Sequence, residues 1–278
     1  MNDGGDSDIE HPDEPTTGHV YDPAATHSFP DERLNATLKL VENDPEIQAY
    51  IEAQNVNPVV RKGYNDHGKT HIDIVRNRAV SLYELLKDAG VDFDTCDHPL
   101  EESDEPVVVA LGATLHDIGQ VVHRDRHPYY SIPLAASLLD RILPELGYDV
   151  GSVVRMRGEI LHAILVHHTE EDPLTREAGI VRVADGLDME RGRSRVPYEK
   201  GGRGINTISS RAIRHVSLHR GTDYPVTVEI EMTDAAGVYQ IDELLKSKLA
   251  MSGIDEFVRI VAVNTRQGDG ELVERIEL

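Results

Sequence analysis

Apolar residues recur every three to four positions through most of residues 31–190, which is the period of an amphipathic α-helix. The pattern predicts two short helices between residues 31 and 57, separated by Asp44-Pro45, and a long helix over residues 66–89 with an Asp66 N-cap and Gly90 at its end. Further helices are predicted over residues 107–115, 131–146 and 152–168, and after Asp172-Pro173. Up to residue 190 the chain is therefore expected to be all helix.

The pattern changes after residue 190. Residues 226–232 and 258–263 alternate between apolar and polar side chains, which predicts half-buried strands, and residues 239–251 have helical spacing. Residues 191–204 combine four arginines with four glycines, which is typical of a flexible basic loop. The expected fold class is mainly α, with a helical bundle core over residues 33–200 followed by a small α+β subdomain over residues 201–278.

The charge of the chain is strongly negative. It has 50 acidic and 28 basic residues, a formal net charge of -22, and only seven lysines among the basic residues. Such a surface stays hydrated where high salt screens its self-repulsion, which indicates a halophilic organism, with an ordinary acidic protein as the alternative. Residues 1–32 carry nine acids and no Lys or Arg, and we expect a disordered acidic tail there. The acidity also argues against binding of duplex nucleic acid.

Two features bear on the compartment. A single cysteine, Cys96, excludes an internal disulfide framework, and the N-terminus lacks the basic and apolar regions of a secretory signal. The longest apolar runs are far shorter than the roughly 20 residues that a membrane span needs. We therefore expect a cytoplasmic protein that does not insert into a membrane.

Histidines and aspartates recur on or beside five of the predicted helices. The ordered series is His67, His71, His116-Asp117, His127, His167-His168 and Asp185. Imidazole and carboxylate together suit borderline divalent ions such as Zn, Mn, Fe, Co or Ni. His67 and His71 are four residues apart at a predicted helix start, so their rings are expected on one face. Any one of these histidines alone would more simply be a core residue, and the joint pattern is what indicates a metal site.

The ordered set resembles the HD superfamily of metal-dependent phosphohydrolases over about residues 66–190. In that family a first His on a helix is followed by a consecutive His-Asp pair, later histidines and a distal Asp. These positions fall on His71, on His116-Asp117 within His-Asp-Ile-Gly, and on Asp185 within Val-Ala-Asp-Gly-Leu. The resemblance implies an HD-type helical core and metal ligation by these four residues.

The resemblance extends toward family members that hold two or more metals. Their additional ligands fall on His67, His127 and the pair His167-His168, which implies a binuclear site for two divalent ions, Mn, Fe, Zn, Ni, Co or Mg. The common His-Asp-x-Gly-Lys pattern ends here in Gln120, and a Gly-Tyr-Pro signature is absent, which argues against cyclic-di-GMP as substrate. The run from Asp185 to residue 195, with residues 236–240, resembles an uncharacterised, largely archaeal subgroup.

The resemblance implies hydrolysis of a phosphomonoester or phosphodiester of a small, nucleotide-like metabolite. Asp117 would bridge the metals as a catalytic residue, and Lys69, Arg124 and the arginines of residues 191–203 are candidates to contact the phosphoryl group. Lys69 could equally be a plain surface lysine, and the arginines could pair with Glu190 and Glu199. Four other histidines, His123, His162, His215 and His219, fit no family position and are interpreted as core or surface residues.

Two other functions stay open from the sequence. A minority of proteins with this fold use two irons to activate oxygen, and iron-dependent oxygen uptake would identify such an oxygenase. A regulatory module with a structural metal and a ligand-sensing C-terminal subdomain is the third hypothesis, although the complete ligand set argues against it. The alternating C-terminal strands are expected to serve packing or formation of a homodimer.

Overall fold

The computed structural model describes residues 31–190, 209–265 and 273–277. Seven α-helices follow one another in the first of these ranges. They are α1 (Glu32–Asn43), α2 (Pro45–Ala53), α3 (Lys69–Asp88), α4 (Glu105–Leu115), α5 (His127–Glu145), α6 (Val150–Val166) and α7 (Arg176–Leu187). None of the described helices is long and apolar enough to cross a membrane. The expected mainly helical core is confirmed.

Helix α5 begins at His127, four residues before its predicted start, and α4 and α6 begin two residues early; the starts of α3 and α7 differ because of their caps. Helix α3 begins at Lys69, because the Asp66 side chain accepts a hydrogen bond from the Gly68 amide at 2.7 Å and holds a loop instead of capping the helix. His67 therefore lies in a loop before α3. Helix α7 begins at Arg176 with Thr175 as its N-cap, so the predicted N-cap at Asp172-Pro173 is wrong.

Helix α4 is the centre of the bundle. All of its residues, from Glu105 to Leu115, are buried, and it contacts α3, α6 and α7. A helix that is apolar on every side must lie inside the protein, because no polar face can be turned to water. A Cβ at Gly112 would lie 3.1 Å from the Cβ of Ala163, so this glycine lets α6 approach closely. The buried helix carries His116-Asp117 into the interior at its C-terminal end.

The C-terminal part forms a four-stranded sheet of order β1-β2-β3-β4. The strands are β1 (Ile213–Arg220), β2 (Val226–Met232), β3 (Val258–Thr265) and β4 (Val273–Glu277). Strands β2 and β3 are parallel, while the β1–β2 and β3–β4 pairs are antiparallel. The alternation predicted β2 and β3 but missed β1 and β4.

The parallel pair is joined by a helical crossover, as such pairs require. Three consecutive segments, Gly237–Gln240, Ile241–Lys246 and Ser247–Ala250, form a helix that we call α8, and the middle segment has π-helical hydrogen bonding. This helix confirms the predicted helical segment and packs against α7. The α+β subdomain is therefore present, and α8 joins it to α7 of the helical core.

The sheet and the helices share one hydrophobic core. Buried residues of β1 and β2 lie in the same cluster as Leu82 and Leu86 of α3 and Val183 of α7. The fully buried Arg78 of α3 reinforces this junction: its Nη1 donates to the Leu187 carbonyl at 2.7 Å and its Nη2 pairs with Glu190 at 2.7 Å. The end of α7, where site residues are concentrated, is thereby fixed to α3.

Two predictions fall mainly outside the described residues. They are the acidic tail over residues 1–32, of which only residues 31 and 32 are described, and the basic loop over residues 191–204. The domain boundary at residue 200 lies in the same undescribed range.

Candidate metal centre

One buried cluster brings together seven of the eight predicted ligands. Six of them supply ligand atoms to three overlapping groups, each of which could hold a cation. The groups are His67, His71 and Asp117; His71, His116 and Asp185; and His116, Asp117 and His167. His127 adjoins the third group, with its Nε2 3.0 Å from Asp117 Oδ1. The cluster lies where the ends of α4, α6 and α7 meet the starts of α3 and α5.

Asp117 occupies the middle of the cluster. Its Oδ2 lies 2.7 Å from His67 Nδ1 and 3.4 Å from His71 Nε2, while its Oδ1 lies 3.0 Å from His127 Nε2 and 4.0 Å from His167 Nε2. The two oxygens therefore face two different sets of imidazoles. Asp117 accordingly belongs to two of the three groups that could hold a cation.

Four of the imidazoles have the same orientation. In each of them Nδ1 faces an oxygen acceptor, which assigns the proton to Nδ1 and leaves the Nε2 lone pair facing the cluster. The pairs are His71 with Asp188 Oδ2 at 2.6 Å, His116 with Ala113 O at 2.8 Å, His127 with Arg124 O at 3.0 Å, and His167 with Ile164 O at 2.6 Å. Metal-binding histidines are held in this way, because the acceptor fixes the tautomer that a metal needs.

The Nε2 atoms provide the test of whether the residues fit a metal. His71 Nε2 and His116 Nε2 are 3.2 Å apart, and His127 Nε2 and His167 Nε2 are 3.1 Å apart. With the protons on Nδ1, two lone pairs face each other in each pair and would repel. A cation between them, completed by the carboxylates, removes the repulsion, so the donor set fits divalent metals.

The electrostatics of the cluster keep the ligands ready for a metal. Burial lowers the pKa of His116 and lowers that of His167 further, so both rings stay neutral. Burial alone would raise the pKa of Asp117, but His116, His67 and His127 outweigh it and lower that pKa well below its usual range. Neutral imidazole and ionised carboxylate are the ligand forms that bind metals.

These shifts predict how the stability of the metal-free protein depends on pH. His116 and His167 take up protons in the unfolded chain below about pH 6.5, where they stay neutral in the fold, so the free energy of unfolding falls as pH falls. We expect a slope of up to about 1.4 kcal/mol per pH unit for each ring. Urea unfolding in chelator at pH 7.5, 6.5 and 5.5 measures it. A variant with both rings replaced by Gln should show a shallower slope, and an unchanged slope would contradict the assignment.

The comparisons with known proteins agree with this geometry. A model of the HD domain family matches residues 75–190. The chain is also 38% identical over 227 residues to the uncharacterized protein MJ1020 of Methanocaldococcus jannaschii, covering 81% of this chain and 86% of that protein. The chain belongs to the HD-domain family. No solved structure matches the sequence.

Members of the HD-domain family are mostly metal-dependent hydrolases, and the cluster is compatible with bound divalent ions. The family match begins at residue 75, after His67 and His71. The fold nevertheless places both of these histidines against Asp117. For these two histidines, support for the predicted ligation comes from their position in the structure and not from the matched residues.

The HD-domain turn after His116-Asp117 depends on a glycine. A Cβ at Gly119 would lie 2.2 Å from the His127 carbonyl oxygen and 2.4 Å from the Ser131 amide nitrogen, so a larger residue would push α5 away. Ser131 Oγ accepts from the Gly119 amide and donates to the His116 carbonyl, both at 2.8 Å. The backbone around His116 is thereby fixed to the start of α5, which carries His127.

The loop that carries His67 is held by a polar segment after α2. The Asn55 side chain accepts from the His67 amide at 2.8 Å, and the Gln54 side chain donates to the His67 carbonyl. Asn57 Nδ2 donates to the Gln120 carbonyl at 2.6 Å, which joins the same segment to the turn after Asp117. These side-chain amides fix the backbone around His67, which has no helical hydrogen bonds of its own.

The remaining three predicted site residues are placed differently. The eighth predicted ligand, His168, belongs to none of the three groups: its ring centroid is 5.5 Å from that of His127, and it faces an open cleft. Although His168 is exposed to the cleft, the protein around its ring still removes part of its water and, with the nearby Lys248 ammonium, lowers the pKa of His168. Arg124 lies beside His127 with its Nε buried. Lys69 is not brought to the cluster, since its side chain is 64% exposed and pairs with Asp73 at 2.8 Å.

Sequence reasoning missed two residues that contact the ligands. Asp188 accepts from His71 Nδ1, and its place three residues after Asp185 was a signal that could have identified it. Lys248 of α8 forms an ion pair with Asp185 and donates to the His167 carbonyl at 3.2 Å. No sequence signal separated Lys248 from Lys246, which lies on the surface and pairs with Asp242.

Proposed function

We propose that this HD-domain protein is a phosphohydrolase that uses two divalent ions to cleave a phosphomonoester or phosphodiester of a small metabolite. The observation that carries the proposal is the central position of Asp117, whose two carboxylate oxygens face different histidine groups. Divalent ions bound there would activate water for in-line attack and neutralise charge on the phosphoryl oxygens.

The residues of the chain supply position and electrostatics for this reaction. Acceptors on the Nδ1 atoms orient the histidines, and burial keeps His116 and His167 neutral, so metal binding requires no rearrangement of their tautomers. The cluster is buried, with His116 and His167 at most 1% exposed, so little water competes with the ligands. Arg124 stands at the edge of the cluster, where its guanidinium could contact a phosphoryl oxygen.

A cleft of about 820 Å³ opens beside His127 and His168 and supports a small-molecule substrate. Three tyrosines in its wall, Tyr64, Tyr129 and Tyr130, are 47%, 48% and 37% exposed. Arg124 and Arg126 lie in the same wall. The exposed aromatic rings favour a substrate that carries a planar ring, as nucleotides do, and the two guanidinium groups, which share the wall with Asp125, Glu170 and Glu171, offer contacts for its phosphate.

The test is a hydrolysis screen of the purified protein in high salt with Mn, Fe, Ni, Co, Zn or Mg. The probes are p-nitrophenyl phosphate, bis(p-nitrophenyl) phosphate, nucleoside monophosphates and ribose 5-phosphate. We expect activity that disappears in chelator and returns with metal, and faster release of phosphate from the nucleotides than from ribose 5-phosphate. An absence of hydrolysis with every metal would contradict the proposal, while equal rates on the last two probes would contradict only the role of the tyrosines.

A further inference from the structure

A lysine from the C-terminal subdomain reaches the metal centre. Lys248 of α8 pairs with Asp185 Oδ2, and its Nζ also donates to the His167 carbonyl oxygen at 3.2 Å. Its side chain is only 13% exposed, and a lysine is rarely buried to this extent unless its ammonium is paired. The ammonium therefore joins a ligand on α7 to the end of α6, which carries another ligand.

Close packing of α8 on α7 makes this contact possible. A Cβ at Gly186 would lie 2.9 Å from the Leu244 carbonyl oxygen and 3.1 Å from Lys248 Cδ. A Cβ at Gly179 would lie 1.9 Å from the Ser252 carbonyl oxygen. Both glycines let the backbone around α8 approach α7 more closely than any other residue would. The lysine is therefore held against Asp185 by the packing of the two helices.

The Asp185 carboxylate is divided between two environments. Its Oδ1 lies 3.5 Å from His71 Nε2 and 3.8 Å from His116 Nε2, within the group that could hold a cation. Its Oδ2 faces the Lys248 ammonium instead. An ammonium on the second oxygen keeps that oxygen from becoming a ligand, so Asp185 offers a metal one oxygen only.

The ammonium also changes the charge of the centre. Three carboxylates, those of Asp117, Asp185 and Asp188, contact the histidines of the cluster. One positive charge beside them weakens the attraction of the site for a divalent cation, because like charges repel strongly where water is excluded. The same charge favours a negatively charged phosphoryl group.

We propose that Lys248 is a positioning residue that sets the charge of the metal centre, holding Asp185 to one-oxygen ligation and leaving the loaded centre more positive toward an anionic substrate. This inference rests on the proposed function, since it requires bound divalent ions and a phosphoryl group. It assigns to the C-terminal subdomain a direct part in the chemistry of the helical core.

The proposal predicts two changes of opposite sign on removal of the charge. In Lys248→Met, the affinity for Mn²⁺ should rise about tenfold, because the repelling ammonium is gone. The kcat for p-nitrophenyl phosphate at saturating Mn²⁺ should fall about 10- to 100-fold, because the loaded centre has lost a positive charge. A lysine that served only as scaffold would give the opposite result for Mn²⁺, since a distorted site binds metal more weakly.

The experiment is titration of the full chain with Mn²⁺ by calorimetry, beside the kcat measurement. Lys248→Gln keeps a hydrogen-bond donor without the charge and should behave as Lys248→Met does, whereas Lys248→Arg keeps the charge and should stay within about threefold of the wild type. Lys246→Met, two residues away on the exposed side, is the matched control and should change neither quantity.

The outcomes separate this inference from the proposed function. If the wild type bound neither Mn²⁺ nor any other metal of the hydrolysis screen, the proposed function would fail and the role of Lys248 with it. If the wild type bound Mn²⁺ but Lys248→Met and Lys248→Gln lost affinity and activity together, or changed neither, only the role of Lys248 would fail.

Discussion

Asp117→Asn should lose about 10³-fold or more in kcat for metal-dependent phosphate release. Asparagine keeps the shape of the side chain but replaces one ligating oxygen with an NH₂ group, which cannot bind a metal, and removes the negative charge. One oxygen of Asp117 faces His71 and the other faces His127, so the substitution affects the histidines on both sides of the carboxylate. The measurement is kcat with saturating Mn²⁺, together with metal content of the purified variant.

The matched control is Asp140→Asn on α5. The side chain of Asp140 is 53% exposed and pairs with Arg157 on the surface, so activity and metal content should stay at the wild-type level. Circular dichroism of both variants shows whether the helices are retained. Full activity of a folded Asp117→Asn protein would exclude the bridging role.

Gly179→Ala should be the most destabilising single methyl addition in α7. The added Cβ would lie 1.9 Å from the Ser252 carbonyl oxygen, and because the obstacle is backbone, α7 and the turn after α8 must separate. We expect the free energy of unfolding to fall by about 3 kcal/mol or more, as in severe overpacking. Urea unfolding measures this change. Because α8 carries Lys248, the variant should also lose activity.

Gly158→Ala on α6 is the control for this substitution. Nothing lies within 4 Å of a Cβ at Gly158, which is exposed, so alanine should stabilise the helix by up to about 1 kcal/mol. The same chemical change is thus expected to act with opposite sign at the two positions. Equal effects at Gly158 and Gly179 would contradict the close packing of α8 on α7.

Much of the helical core could be predicted because its patterns are local. The spacing of apolar residues and the break at Asp44-Pro45 identified α1 and α2, and the continuous apolar run before His116 identified the buried helix α4. The errors lie at helix starts, where tertiary hydrogen bonds decide. The Asp66 side chain fixes a loop together with Asn55 instead of capping α3, and this removed His67 from the helix.

The candidate site was predictable as a set of ligands but not as an assembled centre. The order of His71, His116-Asp117 and Asp185 along the chain carries the family resemblance. The other histidines were predicted as ligands because family members with two or more metals have ligands at the same places. The contact of Lys248 with Asp185 could not be predicted, because 63 positions separate the two residues and nothing local distinguishes Lys248 from its exposed neighbours. Of the two interpretations of Lys69, a phosphoryl contact or a surface lysine, the structure agrees with the second, since Lys69 is exposed and pairs with Asp73.

Titration of the metal-free protein with Mn²⁺ at neutral pH and high salt tests the central claim most directly. The arrangement of imidazoles on both sides of Asp117 predicts that two ions bind per chain and that Asp117→Asn weakens the binding of both. Binding of no ion by the wild type, or two ions bound equally well by Asp117→Asn, would contradict the account.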